Sequence, residues 1–149
     1  MVIHDQAATG ALASWREAVA PCMALILLLD QFPRNMFRED ARAFVSDSIA
    51  RDTAHDALVR GHDEQVPPVH RMFFYLPFEH SEEIADQQRS VELFSHCETY
   101  PGSDEVLEYA HRHFRVIERF GRFPHRNAVL GRISTEEEIA FLTENEKGF

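Results

Sequence analysis

The sequence predicts an all-α protein, and three observations carry that expectation. Apolar residues recur at spacings of three and four along most of the chain. No segment alternates apolar and polar side chains as a half-buried strand would. The breaks fall at prolines, glycines and Ser/Thr/Asp positions suited to helix ends. With 149 residues, 44% apolar and 27% charged, composition and size fit one globular domain spanning 1-149.

Taken in order, a first helix is expected from about Ala7 to Ala18, with Leu12 and Trp15 on one side. A second places Pro21 in its first turn, where the missing N–H costs little, and carries the apolar run Cys22 to Leu29 on to about Phe32. Pro33 should interrupt it, because a proline pushes the preceding Phe32 away from helical dihedrals. Ser46 and Asp47 are candidate caps of a helix ending near Gly61, with Ala50, Ala54, Ala57 and Leu58 inward. Pro67-Pro68 starts the next, whose apolar stripe reads Val69, Met72, Phe73 and Leu76 until Pro77 kinks or ends it.

Ser81, followed by Glu82 and Glu83, caps a long helix through Ile84, Gln88, Val91, Phe94 and Cys97. Pro101-Gly102 is a turn. Ser103 and Asp104 then open the most amphipathic segment, Val106, Ala110, Phe114, Ile117 and Phe120, with Gly121 as its stop. Ser134-Thr135-Glu136-Glu137 reads as a capping box for a short last helix holding Ile139, Phe141 and Leu142, and the acids from Glu136 to Glu146 as a solvated face. The helix starts at Ser46 and Ser81 are separated by close to the length of a helix-turn-helix solenoid unit.

Charge and motif content exclude several function classes. A net charge of -10 argues against a nucleic-acid partner. The Cys22–Leu29 run falls far short of the roughly twenty residues a bilayer needs, and Met1-Val2-Ile3-His4-Asp5 lacks the basic start of a secretory signal, so no membrane partner and a cytoplasmic location are expected. Cys22 and Cys97 are too few for a disulfide framework. No HExxH, CxxC, EF-hand, GxGxxG, P-loop or nucleophile-elbow pattern occurs, so no metal and no cofactor is expected.

Polar chemistry is concentrated in three proline-broken corners. These are Asp30-Gln31-Phe32-Pro33-Arg34-Asn35-Met36-Phe37-Arg38, Tyr75-Leu76-Pro77-Phe78-Glu79-His80-Ser81-Glu82, and Phe120-Gly121-Arg122-Phe123-Pro124-His125-Arg126-Asn127. Each joins an aromatic–proline break to charged or amide side chains. From His111 to Arg132 six arginines (Arg112, Arg115, Arg119, Arg122, Arg126, Arg132) face the single acid Glu118, although arginine also dominates the whole chain, with Lys147 the one lysine. A guanidinium fork suits carboxylate or phosphate, so the partner read from these residues is a small anion or a peptide carboxylate.

Three readings stay open at this stage. The first is a binding module whose ligand-binding candidates are Asp30, Gln31, Arg34, Asn35, Arg38, Glu79, His80, His113, Arg122, His125, Arg126 and Asn127. The second is a small-molecule hydrolase or lyase using His125 or His113 with Glu79. In the third, pairs such as Asp30–Arg34 or Glu79 with an arginine only lock helix ends together.

The three corner motifs, with Phe73-Phe74 before the second and Asp86-Gln87 and Arg89-Ser90 on the following helix, resemble the bacterial domain-of-unknown-function family 924 from about Ala8 to Phe141. That resemblance implies a tetratricopeptide-like right-handed superhelix of antiparallel helix pairs and no assigned reaction. Family members carry some tens of residues ahead of the point where this chain starts. The expectation drawn from this is a homo-oligomer or partner covering apolar surface on the N-terminal side.

Overall fold

The structure, a computed structural model, describes residues 2–97 and 100–145; Glu146 and Lys147 lie outside them. Every regular element among the described residues is helical, as the periodicity predicts. The α-helices among the described residues are α1 (Val2–Ala8), α2 (Val19–Ile26), α3 (Phe32–Met36), α4 (Asp47–Val59), α5 (Pro68–Glu79), α6 (Ile84–His96), α7 (Ser103–Phe120) and α8 (Glu136–Glu144). Short 3-10 turns at Ala13–Glu17, Ala41–Phe44, Asp63–Gln65 and Pro124–Arg126 join them.

The N-terminal region departs from the expected single helix over Ala7–Ala18. The chain is helical earlier, in α1, turns at Gly10 with φ 80°, and resumes only as the 3-10 turn carrying Trp15. Gly10 adopts the left-handed region at little cost, which ends α1 where apolar spacing alone would continue it.

Pro33 does not interrupt the second helix. Phe32 keeps helical dihedrals (φ -64°, ψ -42°), and α2 runs through a π-helical turn, Leu27–Gln31, into α3 with Pro33 in its first turn. The wider turn accommodates the proline: the Phe32 N–H donates to the Leu27 carbonyl, five residues back. The carbonyl of Leu29, four residues before Pro33, receives instead the hydroxyl of Ser46 at 2.6 Å. Ser46 is therefore spent on that carbonyl and does not cap α4 with its side chain.

Helix α5 is the centre of the molecule and packs against α2, α4, α6 and α7. The main core joins Cys22 and Ile26 of α2, Ala54 and Ala57 of α4, Phe74, Tyr75 and Phe78 of α5, Phe94 of α6 and Ala110 of α7. Of the stripe read as Val69, Met72, Phe73 and Leu76, Met72 and Leu76 pack against this core and Val69 is exposed, while Phe74, Tyr75 and Phe78 fill its centre. A helix surrounded on several sides has no single apolar face for periodicity to find. Pro77 stays inside α5, which continues to Glu79.

Helix α7 runs from Ser103 to Phe120 as the amphipathic pattern predicts, and Gly121 (φ 68°) ends it with its N–H on the Ile117 carbonyl. The C-terminal capping box sits one residue later than expected, with Thr135 as N-cap and Glu138 as its reciprocal partner. Glu138 is also no part of a solvated face. It is 2% exposed, drawn inward by Arg122. A second core patch (Ala7, Leu25, Leu28, Leu29, Ala50) lies under the π turn, and a third (Val116, Ile117, Phe123) under α8. The end of α5, the π turn and the Pro124–Arg126 turn converge between these patches.

Candidate functional site

The convergence begins with the corner after α5. Glu79 is its last residue and His80 its C-cap. From beneath, the fully buried Gln87 of α6 donates its amide to the carbonyls of Glu79 (2.6 Å) and Ser81 (2.7 Å), with Phe78 at 3.4 Å. From the side, Arg126 donates Nη2 to the His80 carbonyl at 2.9 Å. Helix-terminal carbonyls that would otherwise lack partners are thereby satisfied, and the direction of His80 is set.

His80 meets Asp30 of the π turn, its Nδ1 2.7 Å from Oδ1. Asp30 is 1% exposed and also accepts Gln31 Nε2 at 2.6 Å, while Arg34 Nη1 lies 3.2 Å from Oδ1. Burial pushes this carboxyl up, but His80, Arg34 and Gln31 outweigh it and hold it down at about 2. An ionised carboxylate only accepts, so the ring proton sits on Nδ1 of His80.

Glu79 behaves oppositely. Burial, with a smaller contribution from Asp30, raises its carboxyl to about 8. Its Oε1 lies 3.5 Å from His113 Nδ1, and its Oε2 is buried without a hydrogen-bond partner among the described residues. His113 donates Nδ1 to the Tyr109 carbonyl at 2.9 Å, and burial lowers it to about 4, so the ring is neutral at pH 7. The imidazoles of His80 and His113 stand 6.3 Å apart, with Phe123 beside His113 at 5.5 Å and His125 beyond it at 5.6 Å.

Cations form the opposite wall. Arg34 grips Asp47 through two parallel hydrogen bonds of 2.9 Å, and Arg126 approaches the same carboxylate at 3.5 Å. The Arg126 guanidinium is sandwiched between Phe44 (4.6 Å) and Phe123 (4.4 Å), and its buried Nε has no hydrogen-bond partner among the described residues. Arg38 is exposed and has no acidic partner among the described residues. Next to it, Glu39 holds φ 59°, a conformation that glycine would adopt more readily. These groups enclose a cavity of about 340 Å³ lined by Arg34, Arg38, Glu39, Ala43, Phe44, His80, His113, His125 and Arg126.

Six of the residues chosen from sequence therefore line one cavity: Arg34, Arg38, His80, His113, His125 and Arg126. Asp30 and Glu79 stand behind His80 and His113, and Gln31 touches Asp30. Asn35 donates to the Gln31 carbonyl at the surface. Arg122 and Asn127 serve α8 instead, both bound to Glu138. The expected pairing of Glu79 with an arginine is replaced by His113, whereas Asp30–Arg34 is formed.

The arginine-rich stretch is not a cationic patch. Arg112 and Arg115 hold Glu108, Arg119 holds Glu137, Arg122 holds Glu138 and Arg132 holds Glu82. A larger groove of about 430 Å³ beside Arg112, Arg115, Arg119, Phe120 and Phe141 is bordered by these engaged arginines and lacks the histidines. Sequence reasoning missed Phe44 and Gln87, and read Asp47 only as a cap. Asp47 carries an acidic cap signature in either role, and nothing local marks Phe44 as a guanidinium platform. Among the described residues no group of three or more His, Cys, Asp or Glu is arranged to hold a metal ion, and no helix is long and apolar enough to cross a membrane.

No curated protein matches this chain. The solved structure of a protein of unknown function from Agrobacterium tumefaciens is similar to it, with 46% sequence identity and a TM-score of 0.89 over 95% of this chain and 78% of that one. The model of the family described as bacterial protein of unknown function, DUF924, matches residues 2–146. With that family model covering nearly the whole chain, the protein belongs to the DUF924 family.

Proposed function

We propose that the histidine- and arginine-lined cavity is a binding site for a small anion, a carboxylate or a phosphate. The observation that carries this reading is the clustering of three guanidinium groups at one cavity, one of them without an acidic partner. Arg34 and Arg126 share Asp47, Arg34 also meets Asp30 at 3.2 Å, and Glu39 lines the cavity as well, whereas Arg38 has no acidic partner among the described residues. Glu79, raised to about 8 by burial, adds no negative charge at neutral pH. Guanidinium groups with spare donors, partly removed from water, favour a planar or tetrahedral oxyanion. At about 340 Å³ the cavity lies at the small end of ligand sites, which favours a compact molecule over a long peptide.

Isothermal titration calorimetry with inorganic phosphate and with succinate tests the reading. Arg38 separates binding from folding because its side chain is exposed and holds no other element. Arg38→Gln should weaken binding about tenfold at an unchanged melting temperature, in line with loss of one charge-assisted hydrogen bond. Arg126→Ala is a poorer probe, since it also removes the bond to the His80 carbonyl and the stacking on Phe44 and Phe123. Absence of binding by the unaltered protein would defeat the reading.

A further inference from the structure

The geometry points to His80 as a general base: we propose that this cavity hydrolyses an ester of a small anionic acid, with Nε2 of His80, oriented by Asp30, deprotonating the attacking water. The inference rests on the anion-binding reading above and adds a reaction to it.

The argument starts from the tautomer. Nδ1 of His80 is committed to a carboxylate that can only accept, so in the neutral ring the lone pair is at Nε2. Nε2 has no partner among the described residues, and His80 stands on the cavity wall. Its backbone is pinned by Arg126 from one side, and its ring by Asp30 from the other. A carboxylate on one ring nitrogen and an open cavity at the other is the arrangement a proton acceptor requires. His113 and His125 are placed differently: Nδ1 of His113 goes to a backbone carbonyl, and the carboxyl behind it is the one that burial keeps protonated.

No serine, threonine or cysteine is among the described residues that line the cavity, so water is the nucleophile. One water O–H bond breaks, its proton passes to Nε2, and the water oxygen bonds to the ester carbonyl carbon. The carbonyl electron pair moves onto its oxygen, and the guanidinium of Arg126 or Arg38 stabilises that charge. Collapse breaks the carbon–alkoxide bond, and the alkoxide takes the proton back from His80. Acid and alcohol leave, and nothing is oxidised or reduced. The substrate's own anionic group occupies the remaining arginine contacts, which gives the preference for an anionic acid.

The probes are the mono-4-nitrophenyl ester of glutaric acid, with its second carboxylate free, and 4-nitrophenyl butyrate as a neutral counterpart. His80→Asn is the informative variant, because the asparagine amide nitrogen can take the place of Nδ1 and still donate to Asp30 while Nε2 is lost. His80→Gln is the second variant, and circular dichroism establishes that each is folded. The unaltered protein should hydrolyse the anionic ester faster than the neutral one. His80→Asn should lose on the order of 10²–10⁴-fold in kcat/KM and still bind inorganic phosphate. Equal rates for the unaltered protein and a folded His80→Asn, with phosphate binding intact, would overturn the base and leave the anion site standing. Absence of phosphate binding by the unaltered protein would overturn both.

Discussion

The hydroxyl of Ser46 donates to the carbonyl of Leu29 at 2.6 Å, across seventeen residues of chain. Leu29 lies four residues before Pro33, which has no N–H to offer it, so this bond satisfies a carbonyl that an uninterrupted α-helix would have paired. Both residues are buried, and the bond ties the start of α4 to the π turn that carries Asp30.

Ser46→Ala should accordingly cost about 1–3 kcal/mol, the penalty for a buried acceptor left without its donor. Urea denaturation should show a lower midpoint at an unchanged slope. Ser48→Ala, exposed at the other side of the same turn, should change little.

Gln87→Ala should be comparably damaging, by about 2–4 kcal/mol, because one amide serves the carbonyls of Phe78, Glu79 and Ser81. Its specific signature is at the cavity. The imidazole resonances of His80 should shift in NMR spectra of the folded variant, since the corner that aims the ring has lost its support.

The stability profile against pH should have two limbs of opposite origin. Native Glu79 keeps its proton up to about 8, whereas the unfolded chain releases it near 4.5. Between those values the native state binds more protons, so this group's contribution falls as pH rises. His113 is lowered to about 4 from 6.5, and Asp30 to about 2 from 3.8. Their contributions are full above the unfolded values and are lost as pH falls through the native ones. Glu79→Gln should therefore flatten the alkaline limb and leave the acid limb in place, as read by urea unfolding between about pH 3 and pH 9.

Glu138→Ala should release α8 without unfolding the rest. The carboxylate accepts from Arg122 at 2.6 and 2.8 Å, from the Thr135 N–H at 2.7 Å and from Asn127 at 3.3 Å. Amide hydrogen exchange should accelerate about tenfold or more in α8, with α4 to α6 unaffected, because among the described residues none in the core cluster of those helices comes from α8. Uniform acceleration through α4 to α6 would contradict this local role.

Gly121→Ala should destabilise by about 1–2 kcal/mol, the backbone cost of a side chain at φ 68°. A Cβ there meets nothing within 4 Å, so the effect isolates conformation from packing.

Much of the scaffold was legible in the residues. The bounds of α7 follow from Ser103, the spacing of its apolar residues and Gly121, all local determinants of backbone dihedrals. The inward alanines of α4 follow from the same logic. Pro33 and Pro77 misled because the rules for proline describe an isolated chain: a π turn and a hydroxyl from elsewhere supplied what each rule assumes is missing at Pro33, and the packed surroundings of α5 carried it past Pro77. The stripe on α5 caught Met72 and Leu76 but missed Phe74, Tyr75 and Phe78, because burial there is set by four neighbouring helices.

By itself the sequence determined the helical class, the ends of α4 and α7 and the three corners where polar chemistry collects, since each depends on residues within a turn or two of one another. Only the tertiary structure decided who meets whom: Asp30 with His80 across fifty residues, Arg126 with the His80 carbonyl across forty-six, and Glu79 with His113. It also decided what those groups are. Two carboxyls of ordinary acidity become an anion held near 2 and a neutral acid held near 8, because a charge buried beside a donor is stabilised and a charge buried without one is expelled.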